Sequence, residues 1–276
     1  MKVIISHDVD HITVWEHWKD LIIPKFVIRS LIEWGLGSVS CSEFKNRIRS
    51  LTTNQWNQLE ELMAFDQFHG IPSTFFVGVK NGCYLAYKKD VAMAWIKRIK
   101  AQGFDVGVHG IAYNNVGAMM QEHQIFQKMS GINAFGIRMH YLRTNTDTIR
   151  CLANIGYAFD STDMAMKNPY KVGGMWEFPL HVMDGHVLHK NGAHWQNSNL
   201  EEAQQFTKGR IIAAAKMGIP YFTLLFHDRY FSNEFQTWKD WYLWFVEYCK
   251  VSGIKFISYK DAIIELEHKN KGATHR

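Results

Sequence analysis

Cysteine is scarce in this chain of 276 residues, with only four. Cys41, Cys83, Cys151 and Cys249 lie far apart and form no CxxC pair. That argues against a disulfide framework or a zinc knuckle, and the thiols read as buried groups in a reducing compartment. No apolar run approaches the length of a membrane span. Long runs of lysine and arginine are missing too, and the formal net charge is only +5. Nucleic acid binding is therefore not expected, although a mild attraction to anionic substrates or a membrane surface is compatible with that charge. There is no GxGxxG or Walker loop and no GxSxG elbow, so the Gly-rich phosphate loops and the serine hydrolase turn are not expected. Repeats, low-complexity tracts and Pro/Gly/Ser linkers are likewise absent, and one domain over residues 1–276 is expected. The first residues, Met1-Lys2-Val3-Ile4-Ile5, already read as a strand with no signal peptide before them, so a cytoplasmic location is expected.

What is present is an ordinary globular composition, 47% hydrophobic and 21% charged, enough for a sizeable core. Aromatics reach 14%, with 10 Trp and 18 Phe, and the tryptophans read as core rather than as a sugar platform. Short β-rich runs alternate with helical patterns. The strand candidates are Lys2–Ser6, Ser73–Val79, Phe104–Val108, Phe135–Met139, Tyr157–Asp160, Met175–Phe178, Tyr221–Phe226 and Lys255–Ile257. Helical spacing of apolar residues predicts helices over 54–68 (capped by Thr53 or Asn54), 90–102, 144–155, 201–217 and 234–251. Such alternation predicts a parallel sheet, closed as a barrel or open and doubly wound. Residues 14–50, rich in Trp, Ile and Leu with basic residues between, read as a helical insertion beside the first strand end.

In a β/α barrel, side chains just past the C-terminal ends of strands converge on one face. Four such ends carry unusual polar residues. His7-Asp8-Val9-Asp10-His11 places two carboxylates two residues apart, pointing the same way if the strand persists, as a base and a metal ligand would. His109, beside Gly110 and followed by Tyr113, reads equally as a metal ligand or a satisfied structural histidine. Arg138 and His140 share a face by alternation, and a cation and an imidazole are costly to bury together without a purpose. Finally, the apolar strand at Tyr221–Phe226 ends in His227-Asp228, which suits a general acid held by a carboxylate. Glu177, Asp184, His186, His189 and His194 fall in one irregular stretch with little spacing logic. A glycosidase using Asp8 with Glu177 or Asp228 is a rival reading, which the histidine content disfavours.

His7-Asp8-Val9-Asp10, Gly70-Ile71-Pro72-Ser73-Thr74-Phe75-Phe76-Val77, Val108-His109-Gly110, Gly136-Ile137-Arg138 and Leu225-Phe226-His227, in that order, resemble the successive motifs of the polysaccharide deacetylase (NodB homology) superfamily, carbohydrate esterase family four. The resemblance spans about Met1 to Ser258, and it is nearest to members of surface-polysaccharide or O-antigen biosynthesis type. It implies a distorted (β/α)7 barrel holding one divalent metal, usually Zn2+. It also implies an activity, the removal of an N-acetyl or formyl group from an amino sugar that is nucleotide-, lipid- or oligosaccharide-linked.

Carried over residue by residue, the resemblance makes Asp8 the base, Arg138 its brace, Asp10 and His109 metal ligands, and His227 the general acid. The chain departs from the pattern at Tyr113, which stands where the family has its second ligand histidine, and at His140, where the family usually has proline. A compensating exchange, Asp10–His109–His140, is the ligand set this implies, with His7 and His11 as alternatives. Tyr113, Tyr141 and Asp184 are the candidates for substrate contacts. Loss of the second histidine also fits a degenerate member that binds sugar without hydrolysis.

Overall fold

The protein is described here from a computed structural model covering residues 1–190 and 192–273, so the expected domain's residues 191 and 274–276 lie outside the described residues. In chain order the elements are β1 (Lys2–Val9), α1 (Ile22–Gly35), α2 (Cys41–Thr53), α3 (Leu59–Phe68), β2 (Thr74–Val77), α4 (Lys89–Ala101), β3 (Asp105–Gly110), α5 (Val116–Ser130), β4 (Gly136–Met139) and α6 (Thr148–Ile155). These are followed by β5 (Phe159–Asp160), β6 (Tyr170–Val172), β7 (Met175–Glu177), β8 (Val182–Met183), α7 (Asp184–Leu188), α8 (Leu200–Lys216), β9 (Tyr221–Leu225), α9 (Gln236–Val251) and α10 (Tyr259–Ala273). One sheet joins all the strands in the order β6-β7-β5-β4-β3-β2-β1-β9-β8. Every pairing is parallel except β6 with β7, and β6 and β8 are edges that do not pair with each other. The architecture is thus the expected distorted barrel, curled but left open.

β1 sits in the middle, paired with β2 on one side and β9 on the other. Its residues from Val3 to Val9 are all buried, as expected for a parallel strand covered on both faces. Because side chains alternate, Ser6 and Asp8 face the barrel interior while His7 faces the helical layer. There His7 Nε2 lies 2.9 Å from Asp66 of α3, which also accepts from Tyr242 of α9 at 2.7 Å and Ser73 at 2.6 Å. β3 must approach its neighbours closely. A Cβ on Gly107 would lie 2.7 Å from the Phe76 ring and 2.8 Å from the Gly136 carbonyl oxygen.

Several expectations need correction. The helix expected from residue 54 begins at Leu59, because Asn54 takes a left-handed conformation (φ 53°) that closes α2 instead of capping α3. Lys255–Ile257 is no strand; only Phe256 bridges to Val3. The short strands β6 and β8 and the helices α5 and α10 had no clear signal. In α5 the buried face includes Glu122 and Ser130, which breaks the apolar period; Glu122 is buried because it accepts the Ile111 and Ala112 amides. All four thiols are free, but only Cys249 is buried; Cys41 and Cys83 are exposed and Cys151 half-buried. Trp56, Trp238 and Trp241 lie in the core, whereas Trp15, Trp18 and Trp34, in or beside the insertion, are exposed. No helix among the described residues is long and apolar enough to cross a membrane.

Candidate active site

The register of the central strands brings the sequence motifs together. His109 of β3 pairs with Arg138 of β4, and Asp8, Asp10, His140 and His227 sit at or just past the ends of β1, β4 and β9. Asp8, Asp10, His109, His140 and His227 all line one cleft of about 900 Å³.

At its floor three donor atoms meet. His109 Nε2 lies 3.0 Å from Asp10 Oδ1 and 2.9 Å from His140 Nδ1, and His140 Nδ1 lies 3.2 Å from the same Asp10 oxygen. The outer nitrogens fix the tautomers. His109 Nδ1 donates to the Arg138 carbonyl at 3.1 Å, and His140 Nε2 donates to the Cys83 carbonyl at 2.9 Å. Each imidazole therefore spends its N–H outward and, when neutral, turns a lone pair inward. Two lone pairs and a carboxylate oxygen crowded at these distances repel one another unless a positive charge stands between them. The edges of a tetrahedral site with metal–ligand bonds of ~2.0–2.1 Å are about 3.3 Å, so the donors fit a divalent cation of zinc type. Burial alone would raise the Asp10 carboxyl, but His140, His109 and His227 hold it well below the usual carboxylate range.

On one side stands Asp8, whose Oδ1 accepts from Arg138 Nη1 at 3.0 Å. Arg138 is fully buried and fixed elsewhere too. Its Nε donates to the Ser161 carbonyl at 2.9 Å, and its Nη2 donates to Ser161 Oγ at 2.9 Å and Tyr259 Oη at 3.0 Å. Burial opposes its charge, but Asp8 and Tyr259 more than restore it. The Asp8 carboxylate is thus oriented through one oxygen, and its other oxygen is 3.8 Å from His109.

On the other side stands His227, with Nε2 3.6 Å from Asp10 Oδ2. The carboxylate that holds it is not Asp228, its neighbour in sequence, but Asp184 at the start of α7. Asp184 accepts the His227 backbone amide at 2.7 Å and Nδ1–H at 2.9 Å. Asp184, a candidate for substrate contact, is buried and lines the cleft behind His227. Burial would lower the His227 pKa, but Asp184, then Asp10 and Asp8, raise it well above the ordinary value. Asp228 also lines the cleft but does not hold His227; it accepts the Gln58 amide at 3.2 Å, and burial pushes its carboxyl up to about 8. Glu177 is sealed in the core, where it accepts the Asp163 amide at 3.0 Å, so it offers the glycosidase reading no second carboxylate in the cleft.

The remaining candidates separate by position. Tyr113 is half-buried, its ring 5.1 Å from the Arg143 guanidinium; it belongs neither to the donor group nor to the cleft wall. Tyr141 does line the cleft, 60% exposed, with its ring 4.1 Å from that of His140 and a left-handed φ of 58°. His11 is the terminus of a chain in which His17 Nδ1 donates to Asp20 and His11 Nδ1 donates to His17 Nε2, both at 2.8 Å. Neither His7 nor His11 joins the three donors. His7→Ala is expected to lower stability by about 2 kcal/mol or more in urea unfolding and to leave metal content unchanged by elemental analysis. Loss of metal with unchanged stability would place His7 in the site. Sequence reasoning missed the Asp184–His227 pair and the Cys83 carbonyl. One lies in an irregular stretch, and the other is backbone, for which side-chain identity carries no signal.

No family model matches the chain, and no curated protein does. Solved structures do. A protein of Mycobacterium smegmatis named as a polysaccharide deacetylase superposes with a TM-score of 0.67 at 15% identity, covering 98% of this chain and 91% of that one. The Puue allantoinase gives 0.62 at 14% identity, over 94% and 88%. A CE4 family pseudoenzyme from Bacillus anthracis gives 0.50 at 9% identity, over 94% and 64%. The chain has the fold of these proteins, the polysaccharide deacetylase fold.

Proposed function

We propose that this protein is a metal-dependent hydrolase that removes an acetyl or formyl group from an amino sugar, a cytoplasmic precursor of a surface polysaccharide. The observation that carries the reading is the convergence of Asp10, His109 and His140 on one point, flanked by a braced carboxylate and a carboxylate-held imidazole. A divalent cation held by those three donors supplies Lewis acidity toward a carbonyl oxygen and lowers the pKa of water from 15.7 to about 7. Asp8 Oδ2, the oxygen not tied to Arg138, accepts the proton of the attacking water. Water oxygen bonds to the acyl carbon, the C–N bond breaks, and His227 Nε2 delivers a proton to the departing nitrogen. The products are a carboxylic acid and a free amine. Asp184 keeps His227 in the tautomer and charge state that can donate. Tyr141, at the cleft mouth, offers a face for a sugar ring.

The test is release of acetate or formate from N-acyl amino sugars, followed by NMR, with and without chelator. Release that stops on chelation, returns with zinc and is lost in Asp8→Asn is expected. Release indifferent to metal, or surviving Asp8→Asn, would overturn the reading. Binding of sugar without release from the zinc-loaded protein would favour the second reading, a sugar binder without hydrolysis. Tyr113 in place of a histidine and a pseudoenzyme among the structural neighbours support that alternative.

A further inference from the structure

Two residues past His227, Arg229 lies in the wall of the same cleft and is 9% exposed. Its guanidinium stacks 3.7 Å from the Trp56 ring centre, with Phe26 at 4.6 Å and Phe235 at 5.6 Å. Among the described residues it forms no hydrogen bond or ion pair, and its Nε and Nη2 are buried with no acceptor. Other buried arginines are answered: Arg138 by Asp8, and Arg47 by Glu33. Glu234 supports the Arg229 charge only from beyond ion-pair distance, and a buried cation with no hydrogen-bonded counter-charge is costly. Burial accordingly pushes Arg229 down to about 10, still charged at neutral pH. Lys25 and Arg29 line the same cleft; Arg29 is paired with Glu33 at 2.7 Å, whereas Lys25 donates to the neutral Tyr84 hydroxyl and keeps its charge uncompensated.

We infer that Arg229 is an anion subsite that takes a phosphate ester on the substrate, so that the acceptor of this cleft is a phosphorylated sugar rather than a neutral polymer unit. A charge-assisted hydrogen bond from a guanidinium N–H to a phosphate oxygen is roughly twice as strong as a neutral one. The aromatic sandwich of Phe26 and Trp56 holds the guanidinium in place before the ligand arrives, so little side-chain entropy is lost on binding. Phosphate rather than carboxylate suits a wall in which Arg229 and Lys25 both lack an ion-pair partner among the described residues. The identity of the sugar rests on the deacylase reading; the anion subsite does not. The phosphate belongs either to a soluble carrier or to a lipid. Ile28 and Ile32 of α1 line the same cleft, 57% and 38% exposed, and give an alkyl chain apolar surface to rest on.

Calorimetric titration of chelator-treated protein tests this, with N-acetylglucosamine, its 1-phosphate, its 1-(octyl phosphate) diester, glucuronate and methyl phosphate as probes. The 1-phosphate is expected to bind about 10- to 100-fold more tightly than the neutral sugar. Arg229→Met should erase that ratio while keeping or raising the thermal midpoint, since an apolar side chain of similar volume removes the buried charge; Arg229→Lys should keep part of the ratio. A further gain with the octyl diester, lost in Ile32→Ser, identifies a lipid carrier; equal binding of both phosphates identifies a soluble one. Methyl phosphate binding that depends on Arg229 without any sugar binding would leave the subsite standing and remove the amino-sugar reading. The proposal is overturned by a phosphate preference that survives Arg229→Met or appears only after zinc is restored. It is equally overturned if glucuronate gains the same Arg229-dependent ratio, or if no probe binds in an Arg229-dependent way.

Discussion

His140→Ala is expected to leave the protein without a bound divalent metal after purification, where the parent protein carries close to one equivalent by elemental analysis. The reason lies in the donor geometry. His140 Nδ1 is one of three atoms within 3.2 Å of one another, and the ring spends one N–H on the Cys83 carbonyl, so the neutral ring turns its lone pair inward. Loss of an outer-shell partner costs ~10–100-fold in metal affinity, and loss of a ligand itself must exceed that. Tyr113→Phe is the informative control. Tyr113 stands at the ligand position that the family resemblance implies, yet its ring packs against Arg143 away from the donors, so its metal content should not change. Zinc retained in His140→Ala and lost in Tyr113→Phe would reverse the assignment.

The second large effect is on turnover rather than on metal. His227→Gln and Asp184→Asn are expected to lower kcat by ~10²–10⁴-fold and by a smaller factor respectively, each with metal bound in full. In the resting geometry Asp184, Asp10 and Asp8 together hold the His227 proton. A cation on Asp10 takes up that carboxylate's charge, which leaves Asp184 as the partner that sustains the imidazolium. The sign follows directly. His227 acts as an acid, so activity is present below its raised pKa and falls as pH climbs through it. Removing the Asp184 charge lowers that pKa, so the basic limb of the kcat profile should move to lower pH in Asp184→Asn. A purely structural role for Asp184 would lower kcat at every pH with the limb unmoved, and that result would sink the acid assignment. A fall in bound metal in His227→Gln would instead make His227 a ligand.

The reach of the sequence can be traced residue by residue. Val3-Ile4-Ile5, Phe75-Phe76-Val77 and Tyr221 to Leu225 are runs of β-branched, aromatic and apolar residues, and they became β1, β2 and β9 of one parallel sheet. Helices failed to declare themselves where a buried polar residue had a backbone partner. Glu122 in α5 interrupts the apolar period because it caps two amides of the loop after β3. Asn54 misled in the other direction, since a residue that suits a helix start also tolerates the left-handed conformation that ends one.

The site divides along the same line. Sequence alone determined which residues reach the mouth of the barrel, because a strand's period of two and the convergence of parallel strand ends are local and repetitive rules. Asp8, Asp10, His109, His140 and His227 follow from those rules without any coordinates. Tertiary structure alone decided whom each of them meets. His7 was turned to the helices and its hydrogen-bond partner Asp66, although it sits beside Asp8 in sequence. Asp184, 43 residues before His227, took the place that adjacent Asp228 was expected to fill. Arg229 was left in an aromatic wall with no hydrogen-bond or ion-pair partner among the described residues. Contacts between side chains on different strands depend on distances of a few tenths of an ångström set by packing over the whole sheet, and no local pattern in a chain encodes them.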